Sequence, residues 1–114
     1  MIFFSIIAAA SAAVVPLDQA SEVDLRCVAV FANALSATTD DKQIAAYSAS
    51  LLYFLGKIDG RQTGFDLGAQ LYRLISLAEF RTKMDSELNR CKGEVGNRST
   101  AMITAGQQLE QASK

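Results

Sequence analysis

The two cysteines are the residues whose type and placement most clearly predict chemistry. Cys27 and Cys91 lie in apolar stripes of two different predicted helices, 64 positions apart. An even number of cysteines in an oxidising compartment favours a disulfide, and two cysteines allow one intramolecular pairing. Closing a loop of this length would stabilise the fold by about 4 kcal/mol in the chain-entropy model. We therefore predict a structural disulfide that joins the first helix to the last.

Other roles for the two thiols have less support in the sequence. Two buried free thiols are the main alternative, and would be expected if the protein resided in a reducing compartment. Redox catalysis is disfavoured because the chain has no Cys-x-x-Cys pair and no histidine to lower a thiol pKa. A zinc site would need carboxylates, since two thiolates alone do not complete a tetrahedral shell. We predict no metal and no cofactor.

No catalytic residue stands out. The absence of histidine excludes the Ser-His and Cys-His types of nucleophilic catalysis. The carboxylate pair Asp40-Asp41 precedes a predicted helix, where capping and the helix dipole account for it. The segment "GKIDGRQTG" lacks the residue order of a phosphate-binding loop and follows a helix, so it is interpreted as a turn. The sequence predicts a protein that is not an enzyme.

One group of residues is a candidate for binding another protein. Tyr53, Lys57 and Arg61 recur at helical spacing near the end of a predicted helix. Tyrosine and arginine are favoured anchors at protein interfaces, so these three residues form a possible interaction patch. The alternative is the edge of a hydrophobic core, from which the cationic side chains extend to water.

The helix that carries this patch spans residues 40–60 and is apolar on nearly every face. A helix of this kind is buried by neighbours on several sides, so we predict that it is the central helix of a small bundle. Thr38 or Thr39 is the expected N-cap, and Gly60 the expected end. The apolar run is too short for a membrane span, which needs about 20 residues.

Three further helices are predicted from hydrophobic periodicity. They cover residues 21–35, 65–80 and 82–112, with capping residues expected at Ser21 and Thr63. The last of them has apolar residues at the seven-residue period of a coiled-coil seam, interrupted only by Arg98. Its glycines weaken a helix, so a loop at residues 93–99 is the alternative to one long helix. The predicted fold is an all-α four-helix bundle.

The N-terminus and the composition indicate where the protein resides. Residues 1–12 are apolar with small residues at the end, which predicts a secretory signal peptide followed by a single helical domain at residues 13–114. A helix belonging to the fold is the alternative for the first segment. The formal net charge is −1, so nothing indicates nucleic-acid binding. We expect a periplasmic or secreted protein without a stable membrane span in the mature chain.

A resemblance to known proteins rests on four features: the leader, Cys27 in the first helix, the segment "YFLGKIDGR", and Cys91 in a long terminal helix. Together they resemble small exported two-cysteine helical proteins of α-proteobacteria, which carry over no activity. In architecture alone the chain is similar to periplasmic acid-stress chaperones of the HdeA type, although its cysteine spacing is longer.

Three functions are compatible with this sequence. The first is protein-protein interaction, with another protein or a second copy, or a role as a structural accessory. The second, implied by the resemblance in architecture, is an acid-stress chaperone. The third is a carrier that holds a small apolar ligand among Tyr47, Phe54, Leu71 and Met102 in the bundle core.

Overall fold

The computed structural model describes residues 16–114, and this part of the chain is helical without any strand. The predicted all-α class is therefore confirmed. The predicted signal peptide at residues 1–12 lies outside the described residues. Within them there are five helices: α1 (Gln19–Ser36), α2 (Asp41–Arg61), α3 (Leu67–Ile75), α4 (Ala78–Thr82) and α5 (Met84–Ala112).

Aspartates, rather than the predicted serine and threonines, cap the first three helices. The carboxylate of Asp18 accepts a hydrogen bond from the backbone N–H of Ser21, 2.7 Å away. Asp40 caps α2 and Asp66 caps α3 in the same manner. Each of these aspartates directly precedes the first helical residue, where a carboxylate also interacts favourably with the helix dipole.

The central helix of the molecule is α1, not the helix at residues 40–60 as predicted. Five consecutive residues of α1, Cys27 to Phe31, are buried, so every face of the helix is covered there. Helices α2, α3 and α5 all pack against it. In α2 the buried residues are Ser50, Phe54 and Ile58, which lie on one stripe. Other apolar residues of α2, among them Ile44, Leu52 and the three alanines, remain exposed, and composition alone does not reveal this.

The predicted third helix is divided in two, which gives five helices instead of four. Helix α3 ends at Ile75, and the hydroxyl of Ser76 donates a hydrogen bond to the carbonyl oxygen of Tyr72. Helix α4 then directs Phe80 into the core, where the side chain is buried. The turn before α3 contains Gly64, whose φ of 76° lies in the left-handed region that favours glycine.

Helix α5 is continuous through its glycines, so the prediction of one long helix is confirmed. Its N-terminal half packs on the core through Met84, Leu88 and Val95, with Cys91 fully buried. From residue 96 onward every residue is exposed. Half of α5 therefore has no buried residue.

Candidate interaction surface

The structure contains the disulfide that the sequence predicted. The Cys27 and Cys91 sulfur atoms lie 2.05 Å apart, and their Cα atoms lie 5.6 Å apart. Cys27 is in the most buried part of α1, and Cys91 is in the packed half of α5. The pairing is confirmed, and its position connects the central helix to the helix with the largest exposed extension.

The three residues of the predicted interaction patch do lie together, on the side of α2 that contacts α1 and α5. Lys57 Nζ lies 3.1 Å from an Asp24 carboxylate oxygen and 2.8 Å from a Glu94 carboxylate oxygen. Arg61 pairs with the other Asp24 oxygen at 2.5 Å. The Tyr53 hydroxyl donates a hydrogen bond to Glu94 over 3.2 Å. We call these five residues the Asp24 cluster.

Burial differs between the members of the Asp24 cluster. The Asp24 side chain is 3% exposed, whereas those of Lys57 and Arg61 are 31% and 33% exposed. A buried carboxylate is stable only when it is paired, and the two cations provide that pairing. Burial lowers the pKa of Lys57, but the hydrogen bonds to Glu94 and Asp24 outweigh it, and the pKa is raised overall.

The Asp24 cluster connects α1, α2 and α5 through polar contacts. An external partner that used Lys57 or Arg61 would have to compete with Asp24 and Glu94 for the same donors. The interaction patch stays a prediction, and the contacts within the chain already give these residues a structural role.

A second surface lies between α2 and α5 and was not predicted. It is an open groove formed by one face of each helix, with residues at helical spacing on both sides. We call it the α2/α5 groove, and its lining residues are Ala46, Ala49, Ser50 and Tyr53 of α2 and Val95, Arg98, Ser99, Met102 and Ile103 of α5.

The lining of the α2/α5 groove is mostly apolar. Met102 and Ile103 are 67% and 63% exposed, and Leu109 farther along α5 is 73% exposed. On the opposite wall, Ala46 and Ala49 have small side chains. A single exposed apolar residue is ordinary, but a contiguous apolar surface of this kind is typical of interaction sites.

The four residues predicted to line a carrier site are not brought together in one cavity. Phe54 is buried and lies in ring contact with Phe31, as does Tyr47. Leu71 lines a separate groove beside Ile75 and Met84. Met102 lines the exposed α2/α5 groove instead. The described residues therefore do not form an interior ligand site from this set.

Metal binding and membrane insertion are two further properties that residues 16–114 bear on. In this region no group of three or more acidic or cysteine side chains is placed to hold a metal ion. None of the described helices combines the length and the apolarity needed to cross a bilayer. Comparison with protein-family models, with curated proteins and with solved structures finds no match to the chain.

Proposed function

We propose that this chain is a non-enzymatic, exported protein that acts by binding another protein chain, in the periplasm or as a secreted protein. The observation that carries the proposal is the α2/α5 groove, where Met102 and Ile103 present apolar side chains to solvent beside the small residues of α2. Grooves between helices accept amphipathic helices, which bury apolar side chains at helical spacing.

Export is supported by two features. The first twelve residues have the composition of a secretory leader. The Cys27–Cys91 disulfide is compatible with an oxidising compartment, in which such bonds persist.

We propose that the fourth helix of the predicted four-helix bundle is supplied by the partner. Helices α1, α2 and α5 leave the α2/α5 groove open along the exposed half of α5. A helix from a partner, seated in the groove, would complete a four-helix arrangement and cover the apolar lining.

Site-specific photocrosslinking in the bacterial periplasm tests this proposal. A photoreactive amino acid at Ala49 or Ile103 is expected to yield discrete protein adducts. The matched control is the same amino acid at Tyr72, which is 78% exposed but lies on α3, outside the groove. Equal labelling at all three positions, or none at the groove positions, would refute binding at this surface.

Acid-stress chaperone activity is a second candidate, which the Asp24 cluster favours. The ion pairs of the Asp24 cluster connect α1, α2 and α5, and strong acid weakens carboxylate–cation pairs in general. Loosening of α1 from α2 and α5 would then expose more apolar surface. The protein is expected to suppress client aggregation at about pH 3 but not at pH 7. Lack of suppression at the acidic pH would exclude this candidate.

A further inference from the structure

We propose that Arg90 makes the Cys27–Cys91 disulfide a reversible redox switch, because its guanidinium is placed to hold Cys27 as a thiolate once the bond is reduced. The bond joins α1 to α5, so the switch controls how firmly these two helices are attached. This role is independent of protein binding at the α2/α5 groove.

The guanidinium of Arg90 reaches from α5 to α1 and ends beside the disulfide. Its Nε donates a hydrogen bond to a Glu87 carboxylate oxygen over 2.7 Å. Its Nη2 donates to Cys27 Sγ and to the Val23 carbonyl oxygen, each 3.3 Å away. Sulfur is a weak acceptor, and 3.3 Å is long for a hydrogen bond to a carbonyl oxygen. Among the described residues, Nη2 of the oxidised protein therefore has neutral acceptors at long distance.

The charges around Arg90 leave one positive charge uncompensated beside Cys27. Glu87 is shared between two cations, because its other carboxylate oxygen lies 3.6 Å from Arg26 Nη1. Arg26, Glu87 and Arg90 thus form a chain of two cations and one anion. The Asp24 cluster, which also faces α1, contains two carboxylates and two cations that pair with one another. A thiolate on Cys27 would supply the anion that the chain lacks, and would convert a weak contact into a charge-assisted one.

The two sulfur atoms differ in their surroundings, although both cysteines are fully buried. Within the described part of the chain, no side-chain donor is hydrogen-bonded to Cys91 Sγ. Lys92, the next cation of α5, has its ammonium 5.8 Å from the centroid of the Tyr47 ring instead. A cation next to a thiol lowers its pKa, whereas apolar burial raises it. Reduction therefore leaves the negative charge on Cys27 and a proton on Cys91.

Reduction by a dithiol takes two exchange steps. One thiolate of the dithiol attacks Cys91 Sγ, the S–S bond breaks, and its electron pair leaves with Cys27 Sγ. The second thiol of the dithiol then attacks the mixed disulfide, closes the oxidised dithiol ring and releases Cys91, which takes the proton. Two electrons have passed to the protein. Burial slows this exchange without altering its equilibrium, and a stabilised reduced form makes a disulfide easier to reduce.

The reduction equilibrium tests the role of Arg90. The full chain is equilibrated without oxygen at pH 7 in mixtures of reduced and oxidised dithiothreitol, and alkylation followed by mass spectrometry gives the reduced fraction. Arg90→Gln should make the disulfide about 3- to 30-fold harder to reduce, since a charge-assisted bond from a partly exposed cation is lost. Glu87→Gln should act in the opposite direction, because it removes the anion that competes with Cys27. Lys92→Gln is the matched control and should leave the equilibrium unchanged.

Thiolate absorbance of the reduced protein, followed from about pH 5 to pH 9, tests which sulfur is charged. One thiol should have a pKa below the ordinary value of about 8.5, and Arg90→Gln should raise that pKa. Arg90→Lys, which keeps the charge, should preserve a lowered pKa. Cys27→Ser should remove the signal of this thiol, whereas Cys91→Ser should retain it.

Three results would overturn the proposal. The first is an equal reduction equilibrium in wild type and Arg90→Gln, and the second is a lowered thiol pKa that persists without Arg90 or belongs to Cys91. The third is a reduced protein in which both thiols titrate at the ordinary value, since Arg90 would then hold no thiolate. A mere loss of packing would not shift the equilibrium in opposite directions in the Arg90 and Glu87 variants. Protein binding at the α2/α5 groove would stand in each case, because photocrosslinking tests it separately.

Discussion

At the scale of single residues, Asp24 shows how a buried charge organises the neighbouring helices. It extends from the central helix α1 and is paired with Lys57 and Arg61, both on α2. The sequence predicted an N-cap at Ser21, three residues before Asp24. The structure instead places Ser21 inside α1, where its hydroxyl accepts a hydrogen bond from Arg61. Local spacing suggested the cap, whereas the actual contacts join residues far apart in the chain.

Removing the charge of Asp24 should destabilise the fold. Asp24→Asn keeps the shape of the side chain but weakens its contacts with two cations, so we expect unfolding free energy to fall by about 1–3 kcal/mol. This is less than the roughly 3–5 kcal/mol typical of a fully buried pair, because Lys57 and Arg61 are about a third exposed and can rehydrate. Urea denaturation measures the change. Asp59→Asn, at an exposed position of α2, should have an effect within about 0.5 kcal/mol; equal effects would contradict the assigned role of Asp24.

The N-cap Asp18 predicts part of the acid sensitivity. Hydrogen bonds from Ser21 lower the pKa of Asp18 below its ordinary value of 3.8. Its charge therefore stabilises the folded state above that value, and the contribution is lost as the pH falls through the lowered pKa. Asp18→Asn retains a capping side chain that does not titrate. The melting temperature of wild type should fall toward that of Asp18→Asn, or below it, between pH 5 and pH 2.

Comparing the melting temperatures of wild type and Asp18→Asn reports the effect of the Asp18 charge alone, because both proteins keep a capping side chain. Asp18→Ala removes the capping oxygen, and should have a lower melting temperature than wild type at pH 7. A difference between wild type and Asp18→Asn that is the same at every pH would show that the charge of Asp18 does not contribute to acid sensitivity.

At the scale of secondary structure, helix α5 contains glycines that it does not require for packing. Gly93 and Gly96 are exposed, and no atom lies within 4 Å of a Cβ built on either. Gly93→Ala and Gly96→Ala should each raise the free energy of unfolding by about 0.5–1 kcal/mol, because alanine has the higher helix propensity. Thermal and urea denaturation of the oxidised protein test this.

Gly64→Ala is the matched control, with the opposite sign. Its φ of 76° is a left-handed conformation, so alanine there should destabilise by about 1–2 kcal/mol. A loss of stability in Gly93→Ala would indicate that α5 needs a flexible position next to the disulfide.

The helix positions and the disulfide could be predicted from the sequence, because each depends on information that the sequence contains directly. Helix positions follow from periodicity along the chain, and two cysteines allow a single pairing. The identity of the central helix could not be predicted in this way, since residues 40–60 are apolar on nearly every face and apolarity does not state which faces have neighbours. The α2/α5 groove was missed because apolar residues such as Met102 were assumed to pack within their own chain.

At the scale of the whole molecule, the disulfide joins the packed core to a helix of which only one half contacts that core. Cys27 and Cys91 are both fully buried, so the bond holds α5 at the point where its packed half lies on α1. Helix α5 has one buried residue, Cys91, and much of its attachment depends on this bond and on Glu94 of the Asp24 cluster.

Reduction of the disulfide should therefore cost a large part of the total stability. The closed loop spans 64 residues, for which the chain-entropy model gives about 4 kcal/mol, compared with a total of about 5–15 kcal/mol for ordinary domains. Urea denaturation of the oxidised and the reduced protein at pH 7 measures the difference. Because both sulfur atoms are buried, reduction by dithiothreitol under native conditions should be slow and should accelerate with added urea.

A Cys27→Ala/Cys91→Ala variant separates the covalent bond from the packing of the two sulfur atoms. If the cross-link itself provides the stability, this variant should unfold at nearly the same urea concentration as the reduced wild type, with a small further loss from the missing sulfur atoms. If both matched the oxidised protein, the packing of α5 on α1 would be sufficient without the bond. The groove would then be held open by non-covalent contacts alone. We expect instead that reduction weakens partner binding at the α2/α5 groove, so that photocrosslinking at Ile103 decreases, because a loosened α5 presents its lining in many orientations and binding has to restrict them.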